Sequence, residues 1–216
     1  ILSVEGSYES FNDPEEDIST EITLLTGIEN KMVDGKFIDW NEVDALFQGV
    51  DIIIAHNASF DRAFIDRFSS NSPSKIWACS ISDIDWLERG FTSSKQELLC
   101  YWHGFYFDAH RAMNDVDALI HLLTFDTGLE RPLLELIKNS NKSEFVIYAE
   151  HFKYDPVKKD ILKGNNYRWN PNDKIWFKKV NLDELEHEKD WLTATIYDQA
   201  FKGRVEEIIP SNKYKL

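Results

Sequence analysis

Two short segments concentrate the residue types that carry out acid, base and metal chemistry. The first is Ala55-His56-Asn57-Ala58-Ser59-Phe60-Asp61-Arg62-Ala63-Phe64. It follows Val50 to Ala55, a short, β-branched, almost wholly apolar run of the kind that forms a buried parallel strand. A carboxylate just past the C-terminal end of such a strand lies where open α/β sheets bind ligands. In the first turn of a helix, Asp61 is also explained as a stabilising charge with no chemistry attached. The second segment is His110-Arg111-Ala112-Met113-Asn114-Asp115-Val116-Asp117-Ala118-Leu119. A histidine five residues before an aspartate, on a loop leading into that aspartate's helix, brings both side chains to one point. Metal-assisted hydrolysis suits such a pair. The carboxylate binds Mg²⁺, and the histidine takes a proton from the attacking water near neutral pH. Taken alone, that spacing is explained as readily by helix capping.

The elements that must hold these segments follow from periodicity. Ile1 to Phe11 alternates loosely and ends at Asn12-Asp13-Pro14, which predicts a strand and a turn. Ile18 to Leu25 predicts a short helix capped by Ser19 or Thr20 and stopped by Gly27. Asp39 to Gln48 has apolar residues at Trp40, Val43, Leu46 and Phe47, a helical spacing. Phe60 to Phe68 reads as a helix with Phe60, Phe64 and Phe68 on one face. Ile76 to Ile81 reads as a strand, and Ser94 to Trp102 and Ala112 to Phe125 as helices. Strands alternating with helices predict an α/β layer fold. Beyond a polar linker, Ser140 to Ser143, the order is strand, helix, hairpin around Pro171-Asn172-Asp173, helix, strand. That is the split βαβ arrangement of small α+β domains. Cys79 and Cys100 sit in apolar contexts and read as core residues.

Charge divides the chain at the same place. The 216 residues carry 24 Lys+Arg against 38 Asp+Glu, net −14. Residues 1–150 hold 11 against 27, net −16, and residues 151–216 hold 13 against 11, net +2. An acidic total argues against coating nucleic acid by bulk charge. It leaves open an enzyme that holds nucleic acid at a metal-filled site, because bound cations reverse the local field. Within 151–179, eight basic residues interleave with Phe152, Tyr154, Tyr167, Trp169, Trp176 and Phe177. Such rings either stack bases of a single strand or pack the small sheet on its helices. Two cysteines argue against a disulfide framework and for a reduced, cytoplasmic setting. No apolar run reaches the ~20 residues of a membrane-spanning helix, and the opening residues do not read as a signal peptide.

Together the two segments are more specific than either alone. Asn57-x₃-Asp61 after a β-run, then His110-x₄-Asp115, resembles motifs two and three of the DnaQ-like 3′–5′ exonucleases with a catalytic histidine, the DEDDh group. Ile76-Trp77-Ala78-Cys79-Ser80, Asp85-Trp86, Ser94-Lys95 and Leu24-Leu25-Thr26-Gly27-Ile28 resemble the branch related to the DNA polymerase III proofreading (epsilon) subunit. Leu162-Lys163, Tyr167-Arg168-Trp169-Asn170 and Trp176-Phe177 resemble a small C-terminal domain fused to some of these enzymes. The resemblance implies a ribonuclease H-like exonuclease core of mixed sheet and flanking helices over 1–139, and a small α+β domain over 145–216. It implies two Mg²⁺ or Mn²⁺ ions ligated by Asp61 and Asp115, and His110 as general base. Asn57, Phe60 and Phe64 would shape the pocket beside the terminal nucleotide. Its implied partners are single-stranded 3′ ends and a DNA polymerase, with no membrane.

The family's first motif, Asp-x-Glu at the end of the central strand, supplies two further acids. Upstream of Asp61 that pattern occurs only as Asp13-Pro14-Glu15, within a charged turn, and it is not a stand-in. The sequence thus reads as beginning two strands late, which would leave strand edges unpaired beside an apolar seam. The alternative to an exonuclease is a catalytically inert nucleic-acid-binding or polymerase-associated module.

Overall fold

The computed structural model describes residues 3–108, 111–125, 128, 130–197 and 199–215. The chain is a mixed α/β protein that divides into two compact units. One runs through Ser140 and takes in Tyr214; the other spans Asn141–Lys213. Among the described residues, no helix is long and apolar enough to cross a membrane.

In the first unit, residues 3–18 form neither helix nor strand, contrary to the alternation at the start of the sequence. A strand needs an edge to pair with, and here side chains hold the segment instead. Tyr8 Oη accepts from the Asp39 N–H at 2.6 Å, and Asp13 accepts from the Glu15 and Gly35 N–H groups, each at 2.9 Å. Asp13-Pro14-Glu15 is thus a self-satisfied turn. Helix α1 (Thr20–Thr26) starts at a Ser19 cap and ends at Gly27 in the left-handed region, φ 67°. A single turn, α2 (Asn30–Val33), follows. Helix α3 (Trp40–Gln48) is capped by Asp39, whose carboxylate accepts from the Asn41 and Glu42 N–H groups.

Strand β1 (Ile52–Ala55) pairs in parallel with β2 (Ile76–Cys79), in a register that runs from Ile52 opposite Ile76 to Ala55 opposite Cys79. Helix α4 (Ala58–Ile65) crosses between them. Helices α5 (Gln96–Trp102), α6 (Ala112–Thr124) and α7 (Pro132–Ser140) follow. The core gathers Ala78, Trp86, Leu99, Leu122 and Leu136 from β2 through α7. Ser140, read from sequence as linker, is the fully buried last residue of α7.

Asp44 on α3 ties that helix to the chain beyond α4. Its carboxylate accepts from Ser69 Oγ at 2.5 Å, Ser70 Oγ at 2.6 Å and the Ser70 N–H at 3.0 Å. The Ser69 hydroxyl foremost, then the Ser70 hydroxyl and N–H, lower its pKa to about 2. A depressed carboxylate stabilises the fold above its unfolded pKa and loses that contribution as pH falls through the folded one. Asp44→Asn should therefore melt below the parent at neutral pH. The gap should close between about pH 4 and pH 2, where the parent protonates. Parallel thermal melts across that window check this; a pH-independent gap contradicts it.

The second unit has the order βαββαβ. Strands β3 (Glu144–Ala149), β4 (Arg168–Asn170), β5 (Ile175–Val180) and β6 (Arg204–Ile208) form one antiparallel sheet in the order β4-β5-β3-β6. Helices α8 (Pro156–Gly164) and α9 (Leu182–Leu192) bury Leu162, Leu185 and Leu192 against Ile147, Ala149 and Val180. Strand alternation sends these residues to one face of the sheet and their neighbours to the other.

Candidate active site

The turn from β1 into α4 is made at Asn57, in the left-handed region with φ 71° and ψ 54°. Asparagine is among the few non-glycine residues that adopt this conformation readily. The sharp turn starts α4 at once, so Asp61 falls in the helix's first turn beside the end of β1. The helix is fixed from below by Arg62, whose side chain is fully buried. Its Nε donates to Asp66 Oδ2 at 3.0 Å, its Nη2 donates to the Pro73 carbonyl at 3.3 Å, and its guanidinium lies 5.8 Å from the Trp77 ring centroid.

A cavity of about 650 Å³ opens beside this turn. Asp61 lines it from α4 and Asp115 from α6, though the two are 54 residues apart in sequence. Helical spacing explains which side chains reach it. On α4, Asp61 and Ile65 are i and i+4; on α6, Ala112, Asp115, Val116 and Leu119 are i, i+3, i+4 and i+7. Asp117 falls off that stripe and is exposed. Phe60 and Phe64 are one position round from Asp61. Both are exposed, and neither is among the lining residues. Phe64 instead meets Phe68, which stacks on Trp40. Asn57 shapes the turn without lining the cavity. His110 lies outside the described residues.

Ile53 and Ile54 both line the cavity. Consecutive strand residues point to opposite faces, so the cavity runs along the strand's edge. Among the described residues only β2 pairs with β1, and this edge carries no strand. The apolar side of the cavity is completed by Trp77, Phe107 and Leu119.

The opposite rim is formed by Lys95, Gln96 and Glu97 at the start of α5; the resemblance takes in Lys95 but gives none of the three a role in the site. Gln96 Nε2 donates to the Asp115 carbonyl at 2.5 Å, which ties α5 to α6 at the acidic residue. His56 also lines the cavity, with Nδ1 2.7 Å from Ser80 Oγ. Burial lowers its pKa and favours the neutral ring. Burial raises the pKa of Asp61. Cys100, beneath the site, is pushed up to about 12, first by burial and then by the charges of Asp115 and Glu97.

These groups divide the metal question. Among the described residues no cluster of three or more His, Cys, Asp or Glu could hold a metal ion. Asp61 and Asp115 both line the cavity, and one or two carboxylates are what Mg²⁺ commonly takes from a protein when waters and a substrate phosphate complete its shell. No family profile, no curated protein and no solved structure matches the chain.

Proposed function

We propose that the first unit carries the 3′-end pocket of a 3′–5′ exonuclease of the DEDDh type, on a ribonuclease H-like core. Asp61 and Asp115 are its metal-facing carboxylates and single-stranded nucleic acid is its substrate. The observation that supports this reading is the meeting of two carboxylates from distant segments in one cavity, at the C-terminal end of a parallel strand. A divalent ion held there would polarise a phosphoryl oxygen. It would also offset the burial that disfavours Asp61 as an anion.

The chain's own residues divide the remaining work. Lys95 sets a cation on the rim, where it meets a phosphate; it forms no ion pair among the described residues. Ile65, Phe107 and Leu119 give a base or sugar an apolar wall, with the fully buried Trp77 packed behind it. His110 takes the role of general base by its resemblance to the family motif. The alternative reading, a catalytically inert nucleic-acid-binding module, would use the same pocket for binding without turnover.

The test is photo-crosslinking with an oligonucleotide that carries 4-thiothymidine at its 3′ terminus, in the presence of Mg²⁺, with adducts located by mass spectrometry. Adducts are expected at Phe107, Ile65 or the segment Ala112–Leu119. Adducts confined to residues 141–213, or none, would remove the pocket from the account.

A further inference from the structure

The second unit presents a sheet face that the pocket does not use. Strand register places four residues in one row across the sheet: Arg168 on β4, Phe177 on β5, Tyr148 on β3 and Arg204 on β6. Their strand neighbours Ile147, Ala149, Trp176 and Val205 all face the buried cluster with α8 and α9. The row therefore lies on the opposite face, and neither Tyr148 nor Phe177 belongs to a core cluster. The Tyr148 and Phe177 ring centroids are 6.5 Å apart. The Arg204 guanidinium lies 3.8 Å from the Tyr148 ring centroid. Lys179, two residues past Phe177 on the same face, is exposed, as is Arg168, which forms no ion pair among the described residues.

We propose that this face is a stacking platform for a single strand of nucleic acid. Bases lie on Phe177 and on the Tyr148–Arg204 stack, and phosphates meet Arg168 and Lys179. Flat rings on the two central strands of a four-stranded antiparallel sheet, bracketed by cations, suit unstacked bases joined by anionic links. The chemistry is that of bases and phosphates, not of the sugar. Glu206 accepts from Tyr148 Oη and Arg204, Glu150 accepts from Arg204, and Glu144 accepts from Lys179. These exposed pairs hold the cations in place and are weak enough for a phosphate to displace.

The face also revises which basic and aromatic residues matter. Lys158, Lys159, Lys163, Arg168, Lys178 and Lys179 are the sequence's natural phosphate contacts, and Trp169 and Trp176 its natural stackers. In the fold, Lys178 Nζ bonds Glu188 at 2.7 Å on the helix side and Lys158 Nζ donates to the Ile196 carbonyl at 2.6 Å. Trp176 packs into the core. The proposal stands independently of the pocket.

The test titrates the full chain into a 5′-fluorescein oligothymidylate of about twelve nucleotides, within the ~4–16 that single-strand-binding folds cover. Anisotropy is read at two salt concentrations, with EDTA present so that a metal-dependent pocket adds nothing. Phe177→Ala and Tyr148→Ala are each expected to weaken binding roughly 5- to 150-fold, the loss of one stacked base. The pair Arg168→Glu with Lys179→Glu should weaken it and lower the salt slope by about 1.4, two phosphates' worth for a single strand. Trp169→Ala, on the other face, should bind like the parent. If an aromatic variant fails to fold by circular dichroism, the charge-reversed pair decides. No binding by the parent, or parental affinity in the charge-reversed pair, overturns the proposal.

Discussion

Arg62→Ala should cost the first unit about 3–5 kcal/mol, the usual result of stripping one partner from a buried ion pair. The guanidinium is fully buried, and its partners include Asp66, the Pro73 carbonyl and the Trp77 ring. Asp66 is itself bound to Ser72 Oγ at 2.5 Å, and Ser72 accepts from Trp77 Nε1 at 3.2 Å. Removing the arginine leaves a carboxylate without its cation and a void beneath Trp77. In a chain of this size each 1 kcal/mol moves Tm by roughly 2–4 °C, so the midpoint should fall by about 6–20 °C. The consequence reaches the site, because α4 carries both Arg62 and Asp61. Denaturant unfolding measures the loss. A cost below about 1 kcal/mol would show that the network does not anchor the helix.

Much of this architecture is legible in the sequence because it depends on local chemistry. Ile52–Ala55 is a strand by composition, and the α6 stripe from Ala112 to Leu119 shows by spacing alone that Asp115 and Asp117 face different ways. Ser19 and Gly27 bracket α1 as their chemistry dictates. The βαββαβ order follows from turn residues and periodicity.

What escapes the sequence depends on partners. The alternation in Ile1 to Phe11 is real, but alternation alone does not make a strand without an edge to pair with. Helix α7 is hidden because Pro132 looks like a breaker, whereas proline in the first turn of a helix is favourable. In the rim of Lys95, Gln96 and Glu97, only Lys95 falls in a stretch that the resemblance covers, and no residue type there announces a site role. The rim joins the site only because α5 folds back against α6, where Gln96 holds the Asp115 carbonyl. In the second unit, period-two alternation was the available signal: it separates Phe177 from Trp176 and Lys178, which a count of rings and charges merges.

The second large effect falls on Asp61 and Asp115. Burial raises the pKa of Asp61, so its charged form costs stability above that pKa and the cost fades as pH drops through it. Asp61→Asn should therefore raise Tm at neutral pH while weakening divalent-ion binding by about 10-fold or more, as the loss of one of the two carboxylates proposed to face the ion. Asp115→Asn should weaken it similarly. A gain in stability coupled to a loss of binding is the signature of a site residue. A variant that loses both would instead mark Asp61 as structural.

The claim that these carboxylates share one ion with a substrate phosphate is tested most directly by electron paramagnetic resonance of Mn²⁺. Free Mn²⁺ is followed as it is titrated into the full chain with and without thymidine 5′-monophosphate, after subtraction of uptake by the nucleotide alone. The account predicts weak uptake by the chain, tightened by the nucleotide, with the nucleotide-dependent part lost in both Asp61→Asn and Asp115→Asn. Nucleotide-dependent uptake that is absent from the parent, or that survives in both variants, would contradict it.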